Sequence, residues 1–411
     1  MNDSDRKYVI VGNGFAGTTC AEGLRKLDPA CSIIMFADEP YTLYNRIALP
    51  PLLRKQVSRQ KVIIRDAAWH EKHRIELHLQ TPVERIDAVE RVAYANGKGY
   101  SFDALLIATG GRPNHSDVPG AQGAANVFNF QYMDDTLAIS EALESAKSAV
   151  AVGGSFIAYE LAEAFASRGV ETHWLMRGPR FLRRMLDEVA GEMIDDAACE
   201  DRVRVHYEDE VGELVRSNGA VTKVLTKEGL TIEADCVGVG LGLTMNTELV
   251  AGTGIRINTG IVCDDRLETD VKGIFAAGDV AEFYDPVAEM HYRMGTWNNA
   301  GAHGKVAAVN MAGGDQRYHD VPEYSSKLFT NQTITQFGLS PEYRSDLEMV
   351  RKIDREKKYY RALFFRENRL AGVVMIGKGN RAGKRRYLEA IKTKTAFTPG
   401  EREVLLDWTA D

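Results

Sequence analysis

One construction occurs twice in this chain: an apolar run, a glycine-rich loop, a helical stretch and a second apolar run. In the first copy Tyr8-Val9-Ile10-Val11 leads into Gly12-Asn13-Gly14-Phe15-Ala16-Gly17. Helical character then runs from Thr18 to Leu27, and the second apolar run from Ser32 to Phe36. A β-turn-helix-β unit of this kind cradles a dinucleotide, and each glycine has its own reason. Gly12 allows the tight turn, Gly14 lets backbone approach a pyrophosphate, and Gly17 lets the helix pack on the strand. The helix start adds unpaired N–H groups and the positive end of its dipole. The acid that would bond the adenosine ribose hydroxyls is Asp38 or Glu39, at the end of the second run.

The second copy is degenerate. Ala149 to Val152 is apolar, and Gly153-Gly154-Ser155-Phe156-Ile157-Ala158 follows. Gly153, Ser155 and Ala158 hold the three key places; serine lets backbone come close less freely than glycine. A helical stretch to Ser167 and a strand-like Val170 to Met176 complete the unit. No acid ends that strand. Met176-Arg177 stands there, with Arg183 beyond it and Arg180 and Arg184 nearby. An acid would accept the ribose 2′-OH of NADH, whereas arginines pair with the 2′-phosphate of NADPH. The expected ligand is NADPH, with NADH as the other reading. The plainer alternative for these arginines is a solvated basic surface at a helix start.

Composition narrows the setting. The chain has 411 residues, 44% hydrophobic and 27% charged, which suits a globular protein of about two to four domains. A net charge of −7 argues against nucleic acid as the ligand. No run has the roughly 18 apolar residues of a membrane helix, and no signal peptide precedes Tyr8, so a cytoplasmic location is expected. Cys20, Cys31, Cys199, Cys236 and Cys263 are scattered and read as free thiols, with no metal site among them.

Two further strand-to-turn patterns complete the set. Ala104 to Ala108 ends in Thr109-Gly110, and Ile274 to Ala277 ends in Gly278-Asp279. The order of the four motifs resembles the pyridine nucleotide–disulfide oxidoreductase superfamily, from Tyr8 to about Ile391. The resemblance implies an α/β fold class: two Rossmann-like dinucleotide-binding domains, for FAD and NAD(P), and a C-terminal α+β interface domain. It places the FAD domain at 1–115 and 238–318, the NAD(P) domain at 116–237 and the interface domain at 319–411. Thr109 and Gly110 then lie against FAD, and Asp279 bonds a ribityl hydroxyl.

Within that superfamily, Asp38 to Leu49 is similar to rubredoxin and ferredoxin reductases and to the flavin part of NAD(P)H nitrite reductases. Arg46 matches their FAD-contacting arginine. The segment in which disulfide reductases carry redox cysteines has none here, so thiol exchange beside the flavin is not expected. Trp297-Asn298-Asn299-Ala300 looks like the start of the helix aimed at the flavin, with Trp297 beside the ring; a core tryptophan is the alternative. Glu160 occupies the family's acid position near the nicotinamide, and Phe156 the place of a gating tyrosine. The lysine that partners such an acid in ferredoxin reductases is replaced by Pro50-Pro51.

The resemblance implies an FAD-dependent oxidoreductase passing electrons from NADPH, or NADH, to a carrier such as ferredoxin or rubredoxin. Glu160 and Trp297 are the candidate catalytic residues. The other readings are the flavin component of a nitrite-reductase-like system and a flavoprotein sensor of NADPH with little turnover. Lys378, Lys384, Arg385 and Arg386 form a basic patch that suits an acidic carrier. The plainer readings of the patch are a solvated helix face or a homodimer interface.

Overall fold

The computed structural model describes residues 6–330 and 332–407. The chain forms two compact units, each assembled from three separate stretches. The first unit takes the chain up to Asn45, Ile63–Arg112 and Met245–Glu323. The second takes Arg46–Val62, Pro113–Thr244 and the chain from Tyr324 onward.

The first unit is built on a five-stranded parallel sheet. Its order is Ile274–Ala276, Ala104–Ile107, Lys7–Val11, Ser32–Phe36, Ile75–His78. All four residues of Ala104–Ile107 are buried, the pattern of a parallel strand covered on both faces. The helices Phe15–Leu27 and Trp297–Met311 pack face to face through small residues. A Cβ on Gly23 would stand 2.7 Å from Ala308 Cβ, and one on Gly304 would strike the Ala16 carbonyl. Cys20 is fully buried in this contact, its Sγ 3.6 Å from Met311 Sδ, so it serves packing. The first helix starts at Phe15, earlier than the Thr18 expected from apolar spacing. Gly14 in extended conformation is its N-cap, so the loop itself winds into the first turn.

The second unit repeats the parallel layer. Its order is Val203–His206, Glu171–Leu175, Ser148–Val152, Cys236–Val239, Val127–Asn129. The expected helix after the second loop is Phe156–Ser167. Arg177 to Arg184 is not a helix start, as the plainer reading had it. The next helix begins at Glu188, capped by Asp187, whose Oδ1 accepts the Ala190 N–H at 2.9 Å. The same unit holds a five-stranded sheet, ordered Glu323–Leu328, Gln332–Gly338, Arg369–Ile376, Tyr359–Arg366, Glu348–Asp354. Ion pairs join it to the Glu188–Glu200 helix and its cap: Asp187 to Arg351, Glu192 to Arg355 and Glu200 to Lys358. The stretch Arg46–Val62 packs into this unit through the short helix Leu49–Leu53. Arg168 Nη1 donates to the Leu53 carbonyl at 3.0 Å, and Lys55 pairs with Glu144 at 2.7 Å. Among the described residues no helix is long and apolar enough to cross a membrane.

Candidate cofactor-binding sites

In the first unit the glycine loop is shaped by what surrounds it. Gly12 has φ +110°, and a Cβ there would run into the Ala108 carbonyl. A Cβ on Gly17 would strike the loop's own Gly12 carbonyl, so the helix sits tightly on its loop. At Gly14 a Cβ would meet nothing within 4 Å. The loop therefore has a bare backbone position facing open space at the start of a helix that lacks a side-chain cap. That is the arrangement a pyrophosphate needs.

The other expected residues of this site are placed as follows. Glu39 accepts the Tyr44 hydroxyl at 2.7 Å, while Asp38 is exposed and bonds back to the Glu39 N–H at 3.0 Å. Thr109 and Asn246 clasp each other, Oγ1 to carbonyl at 2.8 Å and Nδ2 to carbonyl at 2.9 Å. Gly110 follows with φ +61°. Gly278, with φ +77°, turns the chain so that the Asp279 carboxylate lies over Gly295. Thr296 caps the Trp297–Met311 helix, and the Trp297 ring stacks on Phe15 at 4.1 Å. The starts of the two helices, Asp279 and the glycine loop thus converge. Arg46 lies in the second unit, donating to the Gln131 carbonyl at 2.6 Å with its guanidinium 5.2 Å from the Tyr132 ring centre.

The second cradle has the same plan with a different fit. Gly153 has φ +124°, and a Cβ there would strike the Gly240 carbonyl. Trp174 Nε1 donates to the Gly153 carbonyl at 2.8 Å and fixes the turn. Ser155 is extended, as Gly14 is, so a side chain costs nothing in backbone strain. Its hydroxyl donates to the Gly240 carbonyl at 2.8 Å and accepts the Ala158 N–H at 3.3 Å. Ala158 carries a Cβ where Gly17 cannot. In compensation Gly240, at the end of the neighbouring strand, cannot: a Cβ there would stand 2.5 Å from the Ala158 nitrogen. The helix leans off its own loop and against the next strand, so Ala158 is also a packing solution. Gly154 is exposed and leaves backbone open beside the loop.

Arg177 is exposed just after the Glu171–Leu175 strand, and the stem of Arg183 lies across Gly178 next to it. Arg180 is spent on structure, its Nε donating to the Leu186 carbonyl at 2.8 Å. Further along the Phe156–Ser167 helix, burial pushes the Glu160 carboxyl up to about 7, with Arg54 pulling it back down. Among the described residues no group donates a hydrogen bond to it. Tyr324 faces it electrostatically and packs on Phe156 at 4.0 Å between ring centres. One turn on, Glu163 is paired with Arg54, and both side chains are 12% exposed. Sequence reasoning missed Arg54. Its only local signal is a cation closing the apolar run Leu49 to Leu53.

Two cradles of this form on one chain define a protein built to take two dinucleotides. The family model for pyridine nucleotide-disulphide oxidoreductases matches residues 6–304. Rhodocoxin reductase of Rhodococcus erythropolis is 31% identical, over 78% of this chain and 76% of its own length. The nitrite reductase [NAD(P)H] of Bacillus subtilis is 26% identical over 92% of this chain, which spans only 46% of that protein. Putidaredoxin reductase, in its covalent complex with putidaredoxin, shares the fold at a TM-score of 0.91 and 23% identity, covering 98% of this chain and 96% of that one. The chain belongs to the pyridine nucleotide-disulphide oxidoreductase family, and it is an oxidoreductase with FAD and NAD(P)H as cofactors.

Proposed function

We propose that this protein passes electrons from NADPH, and less readily from NADH, by way of FAD to a carrier protein of the ferredoxin or rubredoxin kind. The observation that carries this reading is the state of its thiols. Cys20, Cys31, Cys236 and Cys263 are buried, and burial pushes each of them up, Cys236 to about 12. Buried, protonated thiols do not exchange with disulfides. Cys199 is exposed but lies at the end of the Glu188–Glu200 helix, far along the chain from the flavin-side motifs. The family's flavin chemistry is retained without its disulfide chemistry.

On this reading residues 1–115 and 238–318 carry FAD, 116–237 the nicotinamide dinucleotide, and 319–411 the interface domain, with 46–62 packed into the second unit. Gly12, Gly14 and Gly17 hold the FAD pyrophosphate, and Glu39 or Asp38 its adenosine ribose. Thr109 and Gly110 line the flavin side, Asp279 holds a ribityl hydroxyl, and Arg46 and Trp297 flank the site. Gly153, Ser155 and Ala158 seat the second dinucleotide, with Arg177 and Arg183 on a 2′-phosphate. When bound, FAD takes up hydride and releases electrons singly. Glu160 is the one acid of the second unit's cradle helix poised to hold a proton near neutrality. The exposed Lys378, Arg385 and Arg386, with Lys384, offer a basic surface to an acidic carrier.

A second reading follows from the nitrite reductase match: this chain as the flavin component beside a sirohaem-bearing partner. Anaerobic stopped-flow reduction of the purified yellow protein tests both. Rapid bleaching by NADPH, slower bleaching by NADH, and reoxidation by ferredoxin or rubredoxin are expected. Bleaching with reoxidation only by a sirohaem protein supports the second reading, and no bleaching by either nucleotide overturns both.

A further inference from the structure

The arginine that would meet a 2′-phosphate already has an anion beside it. Arg177 Nε lies 3.8 Å from Glu210 Oε1, a loose contact on a side chain that is 71% exposed. The other oxygen of Glu210 is held by Lys227 Nζ at 2.7 Å. This is built into the backbone. The loop after the Val203–His206 strand bonds twice to the loop after Glu171–Leu175: the Asp209 N–H to the Met176 carbonyl and the Glu208 N–H to the Gly178 carbonyl, both at 3.3 Å. Asp209 turns its carboxylate inward, onto the N–H groups of Glu210 and Glu228 at 2.8 and 3.2 Å. Glu210 is thereby left facing out, toward Arg177.

The strand end that lacks an acid in sequence has one supplied in space by the neighbouring loop. We propose that Glu210 is a specificity-determining residue: a resident counter-ion on Arg177 that a 2′-phosphate must displace, with Lys227 drawing Glu210 aside to make room. The proposal rests on the second cradle being the nicotinamide dinucleotide site. Lys227 holds the Glu210 carboxyl below the usual carboxylate range, so the group is charged at neutral pH. Like charge then opposes a 2′-phosphate and leaves a ligand without one untouched. Arg183, stacked over Gly178 next to Arg177, is paired with no acid among the described residues and supplies the standing attraction.

Calorimetric titration of the holoprotein with adenosine 2′,5′-bisphosphate and with 5′-AMP tests this without turnover. Glu210→Gln is expected to bind the bisphosphate about two- to fivefold tighter, the range of one exposed charge contact, with 5′-AMP unchanged. Lys227→Met is expected to weaken the bisphosphate by about the same factor. The same change in the Glu210→Gln background is expected to do nothing, because Lys227 acts through Glu210. An unchanged or weaker bisphosphate affinity in Glu210→Gln overturns the proposal, as does an equal gain for 5′-AMP. If the unmutated protein binds neither nucleotide, the nicotinamide reading of the cradle itself fails. All these side chains are at the surface, so the variants retain the fold.

Discussion

Glu160 sits where its ionisation opposes folding. An exposed glutamate ionises near 4.5, and in the fold this one is pushed up to about 7, burial being the main cause. A raised carboxyl stabilises the fold only while protonated. Its contribution is full below pH 4.5 and is lost as pH rises through about 7. Glu160→Gln, which stays neutral, should therefore melt a few degrees higher than the unmutated protein at pH 8 and equally at pH 4.5. A constant difference across that range would remove the titration from Glu160. On the proposed function, so costly a group is retained as a proton holder. The acid was legible in the sequence from its place after the second loop. Arg54 was not, because a cation distant in sequence reaches it only after the Leu49–Leu53 helix has packed into the second unit. Glu210 escaped notice for the same reason: its position opposite Arg177 depends on two loops joining through their backbones.

At the scale of elements, what could be read ahead was what is local. Strand and helix cores follow apolar spacing, and the loops announce themselves by glycine, so both dinucleotide cradles were visible. Boundaries shifted where a cap decides them. The first helix gains its early turn from Gly14, and the helix after the arginines waits for Asp187. Asp187 does two things at once: one carboxylate oxygen caps Glu188–Glu200, and the other pairs with Arg351 on the C-terminal sheet. Asp187→Ala should lower stability by about 1–2 kcal/mol, whereas Asp187→Asn, which keeps a capping oxygen, should lose less. Denaturant titration of the two variants side by side settles the difference. Equal losses would assign the effect to the ion pair alone.

For the whole molecule, the division into units cuts across the order of the sequence. The strand Ile274–Ala276 pairs with Ala104–Ile107, and between them the chain builds most of another unit. Closing so long a loop costs entropy before any contact rewards it, which slows folding. A fragment ending at Arg112 keeps the first glycine loop and four of the five strands. It should nonetheless fail to fold or to retain FAD, since it lacks the edge strand and the Trp297–Met311 helix. Circular dichroism and flavin absorbance after desalting check this; a yellow, folded fragment would mean that the first loop and its sheet suffice. The motif order foretold that both cradles share one chain. How the stretch Arg46–Val62 is allotted was not foretold: its five cations, its lack of acids and Pro50-Pro51 set it apart in composition without saying which unit it joins.

The different leaning of the two cradle helices bears on how such a chain can change over time. In one cradle the helix is clamped to its own loop through Gly17, and in the other to the adjoining strand through Gly240. Neither state is one substitution from the other. Enlarging Gly240 first drives a methyl into the Ala158 backbone. Shrinking Ala158 first is mild, and only then can the helix slide back to tolerate alanine at 240. The way from one fit to the other therefore runs through a chain with glycine at both positions, the one intermediate in which neither contact is overfilled.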